Sequence, residues 1–145
     1  MTTYLFKTEP SEFSFADLQS AKGPSVWDGV SNAAANGFLR RAKVGDEVFI
    51  YHTGDEKSVV GLAIVTGGAR EDPKRPGMTA KGEIKFVVVE LKAVRPATTP
   101  MTLAMIKQDK RLANLPLLKQ SRLSVMEIEP ALAKIIKQAS GLLSA

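Results

Sequence analysis

The stretch Glu47-Val48-Phe49-Ile50-Tyr51-His52-Thr53, followed by Gly54-Asp55-Glu56-Lys57 and then Ser58-Val59-Val60-Gly61-Leu62-Ala63-Ile64-Val65, decides the fold. A period of two sends Val48, Ile50 and His52 to one side of the first run and Phe49, Tyr51 and Thr53 to the other. Both sides are apolar over most of the length, so this strand has no solvent face. Gly54 to Lys57 makes a turn. The second run is again a strand buried on both sides, and Gly61 marks a bulge or the close approach of a neighbour.

Toward the N-terminus, Tyr4 to Lys7 reads as a short strand that Thr8-Glu9-Pro10-Ser11 forces to turn. Ser14 with Asp17 three residues on is a capping-box variant, which starts a short helix running to about Lys22, where Gly23-Pro24 ends it. Val26 to Val30 is too short and too glycine-interrupted for a regular element. Ser31 or Asn32 caps a helix from Ala33 to about Arg41, with Phe38 and Leu39 inward and Arg40, Arg41 and Lys43 at its negative end; Gly45 closes it.

Toward the C-terminus, Glu71 to Gly82 is an exposed loop, and Ile84 to Leu91 is a β-branched central strand that Arg95-Pro96 ends. Thr102 to Ile106 starts a short helix, Leu115 to Leu118 is a turn, and Ser121 to Ile128 is another strand. Pro130 opens a last amphipathic helix that packs through Leu132, Ile135, Ile136 and Ala139 and stops at Gly141. The spacing predicts about five strands interleaved irregularly with short helices. That pattern is α/β of the α+β kind and favours a small mixed barrel over a doubly wound sheet.

A chain of 145 residues, 44% hydrophobic and 24% charged, fits one domain spanning 1–145 with a buried core, and excludes disorder. The absence of cysteine removes disulfides, thiolate nucleophiles and sulfur-ligated metals. A single histidine, His52, removes any two-histidine mechanism within one chain, and no cofactor motif is present. Lys7 and Glu9 interrupt the N-terminal apolar stretch before a signal-peptide core forms, and no apolar run reaches the roughly 20 residues that span a bilayer. The expected location is cytoplasmic, with no membrane partner. The net charge of +5 is uneven: Arg70 to Arg122 holds 12 basic and 5 acidic residues, a net +7. Clustered positive charge suits a polyphosphate backbone and equally suits a solvated basic surface.

Walker, nucleophile-elbow and zinc-protease signatures are all missing. Aromatic and polar residues instead concentrate in three places: Lys7-Thr8-Glu9-Pro10, Trp27-Asp28-Gly29-Val30-Ser31-Asn32, and Phe49-Ile50-Tyr51-His52-Thr53. Brought together, they make a slot in which aromatic faces sandwich a planar ring and amides or hydroxyls read its edge. Trp27 supplies the largest face; Asn32, Thr8 and Thr53 donate and accept, and Glu9 accepts from an exocyclic amine. Each has a plainer role: Trp27, Phe49 and Tyr51 as core, His52 as a structural histidine, Glu9 in an ion pair with Lys7, Asn32 as a helix cap, Arg122 as cover for apolar surface. Lys7, Thr8 and Glu9 also assemble a base, a hydroxyl and a carboxylate, the makings of a hydrolase.

The series Tyr4-Leu5-Phe6-Lys7-Thr8-Glu9-Pro10, Trp27-Asp28-Gly29-Val30-Ser31-Asn32, Phe38-Leu39-Arg40, Lys43-Val44-Gly45-Asp46, Phe49-Ile50-Tyr51-His52-Thr53, Val60-Gly61, Leu117-Leu118 and Arg122-Leu123-Ser124-Val125 resembles the EVE domain family, in order and across nearly the whole chain. The resemblance implies a PUA-like mixed β-barrel of about five or six strands flanked by short helices, related to YTH and ASCH domains. It implies a non-enzymatic reader of a modified base, such as a methylated cytosine or adenine, flipped from DNA or RNA. Lys7, Thr8, Glu9, Trp27, Asn32, Tyr51, His52 and Thr53 would line the pocket, with Phe86 as a further stacking face and Arg122 and Ser124 on the rim. The pattern departs at Ser31-Asn32-Ala33-Ala34-Ala35-Asn36-Gly37, where the family's arginine, tyrosine and glutamine are absent, and at Phe86, where tryptophan is common. Two other readings follow from the same residues: an ASCH-like amidohydrolase acting on a modified nucleoside, and an interaction module with a degenerate pocket.

Overall fold

In the computed structural model, which describes residues 1–143, the two strands at the centre of the sequence are β3 (Glu47–His52) and β4 (Ser58–Glu71), paired antiparallel. On the other side of β3 lies β1 (Thr3–Thr8), parallel to it, with β6 (Val125–Ile128) antiparallel beyond. On the other side of β4 lies β5 (Val87–Thr102), which carries β2 (Ser25–Trp27) at the far edge. The order is therefore β2-β5-β4-β3-β1-β6, a six-stranded mixed sheet. Helices α1 (Phe15–Ser20), α2 (Ala33–Arg41), α3 (Leu103–Gln108), α4 (Pro116–Lys119) and α5 (Pro130–Ser140) cover it. None of the described helices is long and apolar enough to cross a membrane.

One aromatic contact shows that the sheet is curled. Trp27 sits on edge strand β2 and Phe6 on β1, with β5, β4 and β3 between them. Flat, four strand spacings would hold these residues about 19 Å apart; their ring centroids are 5.5 Å apart. Register shifts between Ile50 and Tyr51 and at several points along β4 and β5 supply the bends. The result is a half-open barrel whose seam runs between β2 and the β1–β6 edge. Its core includes the fully buried Tyr4, Phe6, Phe49, Ile50, Leu62 and Leu91. Gly61 is a close approach as well as a bulge: a Cβ there would stand 2.4 Å from the ring of Phe15.

Several local expectations hold. Ser14 and Asp17 form the capping box of α1, Asn32 caps α2, and Gly141 closes α5 at φ 71°. Others are corrected. Residues 25–27 do form a strand, because β5 offers a pairing edge at residues 89–91. The late strand starts at Val87 and runs through Pro96: β5 is paired only with β4 there, next to a register shift, so the missing N–H costs no ladder bond. Strand β4 extends to Glu71, strand β6 is confined to residues 125–128, and the turn at Leu115 to Leu118 tightens into the single-turn α4.

Candidate functional site

A cleft of about 440 Å³ opens at the barrel seam. Its walls come from three stretches: residues 7–9 with Glu12 and Phe13, residues 26–31, and Ser124. The first wall is set by the turn after β1, where the N–H groups of Glu12 and Phe13 both donate to the Glu9 carbonyl and Thr8 Oγ1 donates to the Phe13 carbonyl at 2.6 Å. The Glu9 carboxylate accepts from Ser11 and, at 3.3 Å, from Thr53 Oγ1. It lies against Gly54, where φ is +75° and a Cβ would come within 2.9 Å of Oε2, so both conformation and space call for glycine.

Trp27 forms the floor. It is only 7% exposed, packed against Phe6 and meeting Phe13 edge-on at 6.0 Å, yet it borders the cleft. Trp27 is thus at once part of the core and part of the cleft wall. The opposite rim, residues 28–31, is tied down by two side chains from outside it. Asn36 Nδ2 donates to the carbonyls of Val30 and Asn32 while its Oδ1 accepts from Val87 N. Arg75 Nη1 donates to the Val30 carbonyl at 3.2 Å and reaches Ser31 Oγ at 3.4 Å, and Arg75 Nε is held by Asp72 at 2.9 Å. The sequence reading missed both. Asparagine inside a helix is a poor helix former, and that anomaly is the signal that marks Asn36 as a buried hydrogen-bonding residue.

The lining carries the carboxylates of Glu9, Glu12 and Asp28 against one ammonium, Lys7. Lys7 Nζ donates to the Ser121 carbonyl at 2.9 Å, and burial lowers its pKa from the ordinary lysine value. An excess of acceptors favours a ring edge that presents donors and disfavours a phosphate inside the cleft. Basic groups lie around it instead: Arg122 and Lys119 with Asn32 in one neighbouring groove, Arg40 and Lys85 with Phe86 in another. Three further arginines of the basic segment are held in ion pairs, Arg70 with Glu90, Arg75 with Asp72 and Arg111 with Asp109.

Of the expected pocket residues, Lys7, Thr8, Glu9, Trp27 and Ser124 are brought together on the cleft. Asn32 and Arg122 are not; Asn32 Oδ1 accepts from Ala35 N as the α2 cap. Tyr51 is buried at 4% exposure in β3 and is not among the residues lining the cleft. Burial raises its phenol pKa. His52 braces α1: Nε2 accepts from Phe15 N at 3.0 Å, so the proton sits on Nδ1, 2.7 Å from Glu56. Thr53 backs the cleft through Glu9 without lining it, and Phe86 faces the second groove. Of the expected aromatic wall of Trp27, Tyr51 and Phe86, Trp27 alone borders the cleft, where Phe13 joins it.

The Lys7, Thr8 and Glu9 side chains each bond elsewhere, to Ser121, to Phe13, and to Ser11 and Thr53, so no base is aimed at the Thr8 hydroxyl. Among the described residues no group of three or more His, Asp or Glu side chains is placed to hold a metal ion.

The EVE domain family model matches residues 2–139. Human thymocyte nuclear protein 1 is 28% identical over 152 aligned positions, covering 86% of this chain and 68% of that protein; smaller shares of other curated relatives are covered. The NMR structure of a Rhodopseudomonas palustris protein superposes with a TM-score of 0.88 at 36% identity, over 100% of this chain and 97% of that one. A crystal structure of human THYN1 protein in complex with DNA containing 5-methylcytosine superposes with a TM-score of 0.83 at 25% identity, over 96% of this chain and 98% of that one.

Proposed function

This chain belongs to the EVE domain family, and on that premise we propose that it is a DNA-binding domain without catalytic activity that reads a modified base, a methylated cytosine in the first instance, turned out of the helix into the seam cleft. The observation that carries this reading is the convergence of residues 7–9 and 26–31 on one cleft with an aromatic floor and an excess of acceptors, in a chain similar over 96% of its length to a protein crystallised with 5-methylcytosine DNA. A volume of about 440 Å³ is of the size that holds a small planar ligand. Trp27 and Phe13 supply stacking and edge contacts, and Glu9, Glu12 and Asp28 accept from the exocyclic amine of a cytosine, while the basic residues outside the cleft hold the phosphates.

A methyl group placed against the apolar part of the floor contributes about 0.8 kcal/mol, so the preference for methylated over plain cytosine is about fourfold. Anisotropy titrations of duplexes carrying one 5-methylcytosine or one cytosine, beside RNA of the same sequence, measure it. Trp27→Ala is expected to erase the preference while leaving the salt dependence of the residual binding intact. A preference undiminished by that substitution excludes Trp27 as the reader. Turnover of an N4-acylated cytidine, abolished by Lys7→Ala, would instead establish the amidohydrolase reading.

A further inference from the structure

Beside the cleft lies a second groove of about 280 Å³, and Ser31 belongs to the walls of both. One side of this groove is the segment between β4 and β5, which is fastened to itself. The Asp72 carboxylate accepts from Lys74 N and Arg75 Nε, Glu71 accepts from Gly77 N, Thr79 Oγ1 accepts from Lys81 N and Glu83 N, and Met78 bridges to Ile84. A segment so thoroughly bonded has no need to expose apolar side chains, yet Met78 is 61% exposed and the partly buried Phe86 borders the groove with Ala33 and Ala80. One face of the Phe86 ring is taken by the Arg75 guanidinium, 4.3 Å from its centroid. Lys85 Nζ also lies over this ring, 5.4 Å from its centroid, and Arg40 borders the groove with Nε bound to the Ile84 carbonyl and Glu83 4.0 Å from Nη1.

A stacking platform with an exposed thioether, two hydroxyls and a lysine beside it has the composition that receives a base and its phosphate. We propose that the Phe86 groove is a second subsite, seating the nucleotide next to the base read in the cleft, with its ring against Phe86 and Met78 and its phosphate at Lys85. The proposal rests on the reading of the cleft as a base site. The shared wall at Ser31 sets the two sites side by side, as neighbouring nucleotides require, and the ammonium of Lys85 complements the phosphate that would join them.

The test is calorimetric titration with 5-methyl-deoxycytidine monophosphate and with the two dinucleotides that add one nucleotide on its 5′ or its 3′ side. One dinucleotide is expected to bind about tenfold more tightly than the mononucleotide, as one extra stacked base gives. Phe86→Leu and Lys85→Glu are both expected to abolish that gain, and in Phe86→Leu the mononucleotide affinity is expected to stay within about twofold of the wild type. Urea midpoints of both variants establish that they are folded. The subsite is overturned if neither dinucleotide gains, if the gain survives both substitutions, or if in Phe86→Leu the mononucleotide weakens as much as the dinucleotide. Failure of the wild-type protein to bind any of the three removes the cleft reading itself and the subsite with it.

Discussion

Asn36 spends its whole side chain on backbone groups: the carbonyls of Val30, in the cleft rim, and of Asn32, the α2 cap, on one side and the first N–H of β5 on the other. Asn36→Leu leaves the Val87 N–H buried without a partner, which is expected to cost about 1–3 kcal/mol in urea denaturation. It also frees the rim, so DNA affinity falls further than in a variant matched for stability. Gly61→Ala forces a methyl into the Phe15 ring, and a thermal melt is expected to show about 1–3 kcal/mol of destabilisation. At this scale the sequence was legible where neighbours in the chain are neighbours in space. Lys7, Thr8 and Glu9 are consecutive and reach the cleft together, whereas a period of two in a strand apolar on both faces could not say that Tyr51, like the rest of β3, does not line it. Phe13 was passed over because nothing local distinguishes a phenylalanine before a helix cap from any other.

Among the elements, α1 shows how a helix of six residues is held in place. Its capping box, Ser14 with Asp17, satisfies the first turn, and His52 takes the N–H of Phe15. Ser14→Ala is expected to cost about 0.5–2 kcal/mol, read from the shift in denaturant midpoint. The segment between β4 and β5 depends on charge. The Lys74 backbone N–H first, and then the Arg75 guanidinium, hold the Asp72 carboxyl below its ordinary value. A carboxyl whose folded pKa is depressed contributes stability that is complete above its unfolded pKa of about 3.9 and is lost as pH falls through the folded value. Amide protection factors in residues 72–86, measured against the intrinsic exchange rate at each pH, are therefore expected to fall below about pH 4 in the wild type and to be low already at neutral pH in Asp72→Asn. A wild-type segment that stays equally protected at pH 3 contradicts the brace. Caps and helix ends were readable because their chemistry is local. The strand through Pro96 was not, because its tolerance depends on a missing neighbour on one side of β5, which is a property of the sheet.

For the molecule as a whole, curling the sheet leaves a seam between β2 and the β1–β6 edge, and the cleft is that seam. The irregular spacing of strands and helices pointed to a barrel; the seam's position follows from pairings remote in sequence, such as Thr3 with Ile128 and Trp27 with Val89, that no local pattern encodes. Charge follows the same division, acidic within the cleft and basic in the grooves beside it. Arg122→Ala is accordingly expected to lower the slope of log affinity against log salt by about one while leaving the ratio between methylated and plain DNA unchanged. A change in that ratio would place Arg122 at the base instead of the phosphate. The chain carries one tryptophan, at the floor of the cleft, and its emission reports on the central claim directly. Titration with a duplex containing 5-methylcytosine is predicted to quench that emission saturably, with the midpoint found by anisotropy; full binding by anisotropy with the emission unchanged contradicts a base seated on Trp27.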